Sequence, residues 1–325
     1  MLKVGLIGCG GIGAIHARCW LNMEHEVHLA AIADTNTERA EKYASKTGTK
    51  IYKSADELIK NEKLDIVDIC LPTFLHAKYA LMAMDYVPNI IIEKPICLKE
   101  EEALILEQKQ KETGALVQVA HVVRFMYPYQ YLKEIVDQEI YGKIIAGSFH
   151  RISPRPMWMQ GHDNPNRTGT MAVDMHIHDV DFIRHLMNCE ADHIDSWAVK
   201  DNNGIIQHIW SAYHYGNAVL TAEGSWDYPV SLAFEQSFRV RLENAAIKLE
   251  KDGSLTVYTN DGDVITPNIG DSQHMDLGIN VTDIAPYMNE IKYFLENIKD
   301  NNNNGIASLK NAIASLRVVL KECFD

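Results

Sequence analysis

The sequence predicts two domains, an α/β domain on a parallel sheet followed by an α+β domain with a mainly antiparallel open sheet. Three observations carry this expectation. Up to about residue 120, short continuous apolar runs alternate with helical patterns, as in a parallel sheet covered on both faces. Beyond it, longer alternating strands are joined by two-residue turns, the pattern of an antiparallel meander. A chain of 325 residues is also long enough for two domains of ordinary size. The expected domains are 1–120 and 121–325.

In the first part, Leu2 to Ile7 is a short apolar, β-branched run and reads as a strand. Gly13 to about Leu21 is helical, and Val27 to Ala33 is a second buried strand. Thr37 to Lys46 is a polar helix that ends before Gly48. Ile66 to Leu71 is a third strong strand, Leu75 to Tyr86 a helix, and Asn89 to Ile92 another strand. Lys99 to Thr113 is a long polar helix stopped by Gly114, before a strand at Leu116 to Ala120.

The second part opens with a helix near Tyr129 to Gln138. Ile205 to Tyr215 and Ala218 to Trp226 flank the hairpin signal Gly216-Asn217. Ser237 to Leu242, Ala245 to Glu250, Ser254 to Thr259 and Asp263 to Thr266 continue the meander across short Asn- and Gly-containing turns. Two amphipathic helices close the chain, one carrying Ile284 to Ile298 and the other Ile306 to Leu320.

Composition narrows the function classes. With 31 basic and 44 acidic residues the net charge is −13, which disfavours a surface that grips nucleic-acid phosphates. No apolar run approaches the length of a membrane span, and the N-terminus lacks the apolar core of a signal peptide. The six cysteines are scattered, with no C-x-x-C, as expected of free thiols in a reducing compartment. The expectation is a cytoplasmic, soluble protein.

Gly8-Cys9-Gly10-Gly11-Ile12-Gly13 fits G-x-G-x-x-G, directly after the first strand and opening the first helix. Such glycines permit a tight turn and let backbone N–H groups approach a pyrophosphate at the helix N-terminus. Asp34 stands at the end of the second strand, where a carboxylate accepts hydrogen bonds from a ribose 2′-hydroxyl and repels a 2′-phosphate. NAD is therefore expected ahead of NADP, which Arg39 nearby keeps in play. The competing reading makes the glycines a plain strand–helix turn and Asp34 a cap.

Two further segments bear chemistry. Glu93-Lys94-Pro95 ends a strand, and in open parallel sheets the C-terminal strand edge is where ligands bind. Asp174 and His178 are four apart and share a helical face. Oxidising a secondary alcohol requires loss of a hydride and a proton. His178 suits the base because an imidazole titrates near working pH. Asp174 can orient it and stabilise an imidazolium, and Lys94 can donate to the reacting oxygen. His176, two residues away, reads as structural. Asp174, His176, His178, Asp179 and Asp181 are all ligand types, yet no distant His/Cys cluster completes a metal site, so no metal is expected.

With these residues on the page, the chain resembles the Gfo/Idh/MocA oxidoreductases over essentially its whole length. The resemblance rests on the glycine turn with Asp34, Leu71-Pro72-Thr73 with His76, Glu93-Lys94-Pro95, Arg124-Phe125 ahead of Pro128, and Asp174 with His178. It departs from the family at Gly169-Thr170, where a Gly-Gly pair is usual, and at Ala120, where many relatives have glycine before the position of His121. It implies a Rossmann-like first domain that binds NAD, a second whose open sheet forms the substrate wall and often the oligomer interface, and final helices that pack back toward the first domain. It implies that Lys94 and His178 face the nicotinamide with Asp174 beside them. Pro72, Thr73 and His76 would lie on the cofactor side, with Glu93 near the ribose. His121, Arg124, Arg151, Trp158 and Arg167 are the expected substrate contacts, the last three in a long irregular stretch before Asp174.

The function expected is NAD-dependent hydride transfer at a ring alcohol of a cyclic polyol or sugar, in a homodimer or homotetramer. One alternative is a non-catalytic NAD-binding sensor on the same fold. Another is oxidoreduction between two sugars through a tightly held cofactor.

Overall fold

The computed structural model describes residues 1–44, 48–156, 165–268 and 283–324. Within them the chain forms two compact units. One is Met1–Val122 with the described part of Ser272–Ile313, and the other is the described part of Val123–Asp271 with that of Ala314–Asp325.

The first unit alternates strand and helix: β1 (Leu2–Ile7), α1 (Gly11–Asn22), β2 (Val27–Ala33), α2 (Thr37–Ala44), β3 (Lys50–Tyr52), α3 (Ala55–Asn61), β4 (Ile66–Ile69), α4 (His76–Ala83), β5 (Asn89–Glu93), α5 (Glu100–Thr113) and β6 (Leu116–Ala120). Its six strands are all parallel, in the order β3-β2-β1-β4-β5-β6. Val4, Leu6, Val67, Ile69, Ile90, Ile91 and Ile92 are buried, as strands covered on both faces require. β1 and β4 are neighbours whose chains leave toward opposite edges. That reversal opens a crevice at the strand C-termini, where ligands of such sheets bind. Asp68 is the exception in β4, a fully buried carboxylate in an otherwise apolar strand.

β3 and α3 were not expected from the sequence. β3 has only three residues, too few for a period. α3 does carry a signal, Ser54 three residues before Glu57, and the Ser54 hydroxyl accepts from the Glu57 N–H at 3.4 Å.

The second unit comprises α6 (Tyr127–Asp137), β7 (Ile144–Pro154), α7 (Pro165–Thr168), a π-helical turn at Ala172–His176, α8 (Ile177–Met187), β8 (His193–Lys200), β9 (Ile206–Tyr215), β10 (Ala218–Tyr228), β11 (Glu235–Leu242), β12 (Ala245–Leu249), β13 (Leu255–Thr259) and β14 (Val264–Ile265). Among the described residues its sheet has eight strands in the order β14-β13-β12-β11-β7-β10-β9-β8. Every pairing is antiparallel except β7 with β10. Gly216, at φ +59, makes the expected β9–β10 turn.

The irregular stretch expected from Arg151 onward is corrected here, because Arg151 and Ser153 lie on β7, inside the sheet. Phe149, Arg151 and Ser153 are buried on one side of this strand. Two of the three are polar, which hides a strand from any hydrophobic-pattern reading. The core on this face is aromatic. The Tyr129 ring lies edge-on to Phe182 at 4.6 Å and to Phe238 at 5.1 Å between centroids. Met171, Ile206, Ile209 and Trp226 form a second cluster. On the other face Trp197 and Trp210 stand directly opposite each other, 61% and 40% exposed.

Two helices end the chain, α9 (Ala285–Asp300) and α10 (Leu309–Phe324). α9 belongs to the first unit, where the Gln118 amide donates to the Glu290 carbonyl at 3.1 Å. The Val119 N–H donates to the Ala307 carbonyl at 2.9 Å, so this segment flanks β6. The boundary after residue 120 thus falls at Val122, and the described residues up to Ile313 join the first unit rather than the second. An amphipathic stripe shows that a helix is buried but not against which core. No helix among the described residues is long and apolar enough to cross a membrane.

Candidate active site

The glycine turn separates two requirements. Gly8 sits at φ +93, and a Cβ there would lie 2.4 Å from the Cys70 carbonyl oxygen. A Cβ on Gly13 would lie 1.9 Å from the Gly8 carbonyl oxygen. These two glycines are needed for β1, α1 and the residue after β4 to come together. Gly10 is different, since a Cβ on it would meet nothing within 4 Å. Open space beside a glycine, next to Gly11 and Ile12 at the start of α1, is a cradle for an anion approaching backbone N–H groups. Asp34 is fixed beside it. One carboxylate oxygen accepts from the Cys9 N–H at 2.7 Å and the other from the Asn36 N–H at 2.8 Å. A carboxylate has about four lone-pair sites, so both oxygens retain capacity for a ribose hydroxyl. These residues fit a dinucleotide.

At the ends of β4 and β5 two turns lie side by side. Pro72 is exposed and precedes a short 3₁₀ turn, Thr73–Leu75, in which Thr73 is buried. His76, at the start of α4, has Nδ1 2.7 Å from the Pro95 carbonyl oxygen and Nε2 2.7 Å from that of Leu71. The ring is 1% exposed, and burial lowers its pKa. His76 thus sits between the Leu71-Pro72-Thr73 turn and the Glu93-Lys94-Pro95 turn, and the neutral ring donates to one of the two carbonyls. Glu93 is buried, with one oxygen accepting from the Lys94 N–H at 3.0 Å. Lys94 is half-buried at the strand end, and its bond to Pro95 is cis. His121 is buried in the same unit, just past β6.

In the second unit the helix bearing Asp174 and His178 starts with a π turn, in which the Ile177 N–H reaches back five residues to the Ala172 carbonyl. Such an inserted residue widens the helix and is frequent at functional sites. Between Met171 and Phe182, only Asp174, Met175 and His178 are partly exposed. The two proposed proton-transfer groups thus share the solvent-facing side. His176 points the other way, fully buried, with Nε2 3.3 Å from Glu322 Oε2 and from the Tyr213 hydroxyl. A Cβ on Gly224 would lie 2.9 Å from its Cβ, so that strand position must be glycine.

Asp179 and Asp181 also face inward, and each takes an arginine. Arg124 donates to both oxygens of Asp181 at 2.7 Å. Arg151 donates to Asp179 at 2.9 and 3.2 Å and to Gln236 at 2.7 Å. Both arginines are at most 4% exposed. Their guanidinium forks are committed to these carboxylates inside the unit. Arg167 is exposed on α7. Trp158 lies outside the described residues.

Sequence reasoning passed over Asp68 and His16. The signal was present, a charge inside an apolar strand and a histidine one helical turn beyond Gly13.

Comparison with known proteins places this geometry. Residues 2–121 match the oxidoreductase family model with an NAD-binding Rossmann fold, and residues 129–248 match the Gfo/Idh/MocA C-terminal domain model. The chain belongs to the Gfo/Idh/MocA oxidoreductase family. It is 26% identical over 232 residues to an oxidoreductase of Formosa agariphila, covering 69% of this chain and 72% of that one. It is 28% identical over 196 residues to the myo-inositol 2-dehydrogenase of Thermotoga maritima, covering 59% of this chain and 57% of that enzyme. The aligned part thus spans somewhat over half of the Thermotoga protein. Among solved structures, levoglucosan dehydrogenase in complex with NADH and levoglucosan superposes with a TM-score of 0.83 at 17% identity, covering 99% and 97% of the two chains. The family domains confirm the expected fold, a Rossmann-like NAD-binding domain followed by a mostly antiparallel sheet. The first unit is an NAD-binding Rossmann domain.

Proposed function

We propose that this member of the family is a dehydrogenase that moves a hydride between NAD and a secondary alcohol of a cyclic polyol or sugar. The observation that carries the reading is the set of groups at the C-terminal strand edge of the first unit. An open glycine turn follows β1, a fixed carboxylate follows β2, and Lys94 ends β5. When bound, NAD supplies the hydride acceptor, and the protein supplies position and charge. Asp34 holds the ribose diol and excludes a 2′-phosphate, so NAD is used ahead of NADP. Pro72, Thr73 and Glu93 flank the nicotinamide end.

Lys94 donates to the reacting oxygen and stabilises negative charge developing on it. His178 takes up the proton, and Asp174 orients the imidazole. Arg167 and His121 remain the proposed substrate contacts. The Thermotoga relative is a myo-inositol 2-dehydrogenase, which supports a small hydroxyl-rich substrate. The exposed Trp197–Trp210 face of the second sheet supports assembly with further copies of the chain.

The test is formation of reduced nicotinamide with a panel of inositols, aldoses and nucleotide sugars, NADP serving as the cofactor control. Turnover of one class supports the reading and names the substrate. Tight NAD binding with no turnover on any member would favour the sensor.

A further inference from the structure

Beneath the Glu93-Lys94 turn lies a polar cluster that hydride transfer does not call for. His16 sits on α1 three residues after Gly13, one helical turn beyond the glycine turn. Its ring is fully buried, with Nδ1 2.9 Å from Asp68 Oδ2. The same Asp68 oxygen accepts the Trp20 indole N–H at 2.6 Å, and the other accepts from the Cys70 thiol at 3.4 Å. On the far side of the ring, Nε2 is 3.3 Å from Glu93 Oε1. The remaining Glu93 oxygen accepts the Lys94 N–H. The titratable groups around the ring are Asp68 and Cys70 from β4 and its end, Glu93 from β5, Cys19 from α1, and Tyr287 and Glu290 from α9. Tyr287 lies edge-on at 5.9 Å.

Nδ1 is hydrogen-bonded to Asp68, whereas Nε2 lies within ion-pair distance of Glu93 without a hydrogen bond to it, so the ring as a cation sits between two carboxylates. Burial opposes that charge, but the Asp68 carboxylate outweighs it and holds the pKa of His16 well above the ordinary value of 6.5. The cation also answers a charge problem, since without it two carboxylates would be buried side by side. His16, Asp68 and Cys70 are also ligand types that converge, but hydrogen bonds within the cluster occupy both Asp68 oxygens, so the arrangement reads as an ion-pair network.

We infer that His16 is a positioning residue: held by its hydrogen bond to Asp68, its ring pairs electrostatically with the Glu93 carboxylate at 3.3 Å and so fixes the backbone of the turn that carries Lys94. The inference rests on the role proposed above for Lys94. It gives α1 two tasks. Its first turn meets the cofactor phosphates, and its second locks the turn at the nicotinamide end.

The test uses the full chain labelled with ¹⁵N-histidine. In the wild type, both His16 nitrogens should remain protonated well above pH 6.5. Glu93→Gln should weaken proton binding at His16 at least about tenfold, one pKa unit. A ring carrying a single proton in the wild type, or one whose titration ignores Glu93→Gln, overturns the inference. In turnover, His16→Gln should lower kcat at least about tenfold while substrate KM and NAD affinity stay within about threefold, as loss of positioning rather than binding requires. Unchanged kcat in a folded His16→Gln enzyme also overturns it. Should His16→Gln not fold, the Glu93→Gln titration decides, because it leaves His16 and Asp68 in place. Failure of the Lys94 reading shows separately, as turnover retained in Lys94→Ala with the His16 titration intact.

Discussion

Two glycines of one motif should fail in different ways, and the structure says how. In Gly13→Ala the new methyl lies 1.9 Å from the Gly8 carbonyl oxygen and 3.2 Å from the Cys70 Cβ. The first neighbour is backbone at the end of β1, so the turn must open rather than a side chain rotate. Overpacking of this kind costs roughly 2–3 kcal/mol, and more when backbone is the obstacle. For a domain of this size, that lowers the melting temperature by about 5 °C or more. In Gly10→Ala the methyl meets nothing within 4 Å, and the backbone there, at φ −67, suits any residue. The fold should lose only about 0.5 kcal/mol, the usual handicap of alanine before a helix. The methyl does enter the space reserved for the pyrophosphate, so NAD affinity should fall at least tenfold, or about 1.4 kcal/mol. Thermal melts of the apo proteins and titration of NADH fluorescence separate the two effects. Wild-type NAD affinity in Gly10→Ala, or a wild-type melt in Gly13→Ala, would refute the division of labour argued here.

Other outcomes follow from the same geometry. Asp34→Ser should shift the NAD to NADP ratio of kcat/KM at least about tenfold toward NADP, since the carboxylate that repels a 2′-phosphate is gone. Arg124→Met strips the guanidinium from buried Asp181 and should cost roughly 3–5 kcal/mol in urea unfolding. The double change with Asp181→Leu should recover most of it. Acid should unfold the second unit through two groups, read from melting temperature against pH. Hydrogen bonding from His150, reinforced by His208 and Tyr228 against burial, holds Glu223 at about 2 against an ordinary 4.5. Its contribution is present above pH 4.5 and is lost as pH falls toward about 2. Burial, aided by Arg124 and Lys133, lowers His185 from 6.5 to about 3, so the unfolded chain takes up the proton first and stability falls across that window. His185→Leu should flatten the upper part of the acid slope and Glu223→Gln the lower.

How much of this was legible depended on the range of the forces involved. The glycine turn, Asp34 and the strands β1, β2, β4, β5 and β6 were readable, because each is set by local backbone demands or a short apolar run. β7 was not, since the polar residues on its buried side are satisfied by Asp179 and Gln236, 28 and 85 residues from Arg151. Arg124 and Arg151 look like ligand groups in the sequence for the same reason: a charge in sequence does not show its counter-charge. The shared face of Asp174 and His178 followed from their spacing, but the π turn did not, because helix register there is set by packing such as that of His176 against Gly224.

The central claim is that Lys94 serves hydride transfer to NAD. Wild type and Lys94→Ala should be compared on the best substrate of the polyol and sugar panel, by NAD affinity and by initial rate of reduced nicotinamide. NAD affinity should stay within about threefold of wild type while kcat/KM falls at least about a thousandfold, ~4 kcal/mol of transition-state stabilisation. Turnover within tenfold of wild type in a folded Lys94→Ala protein would contradict it.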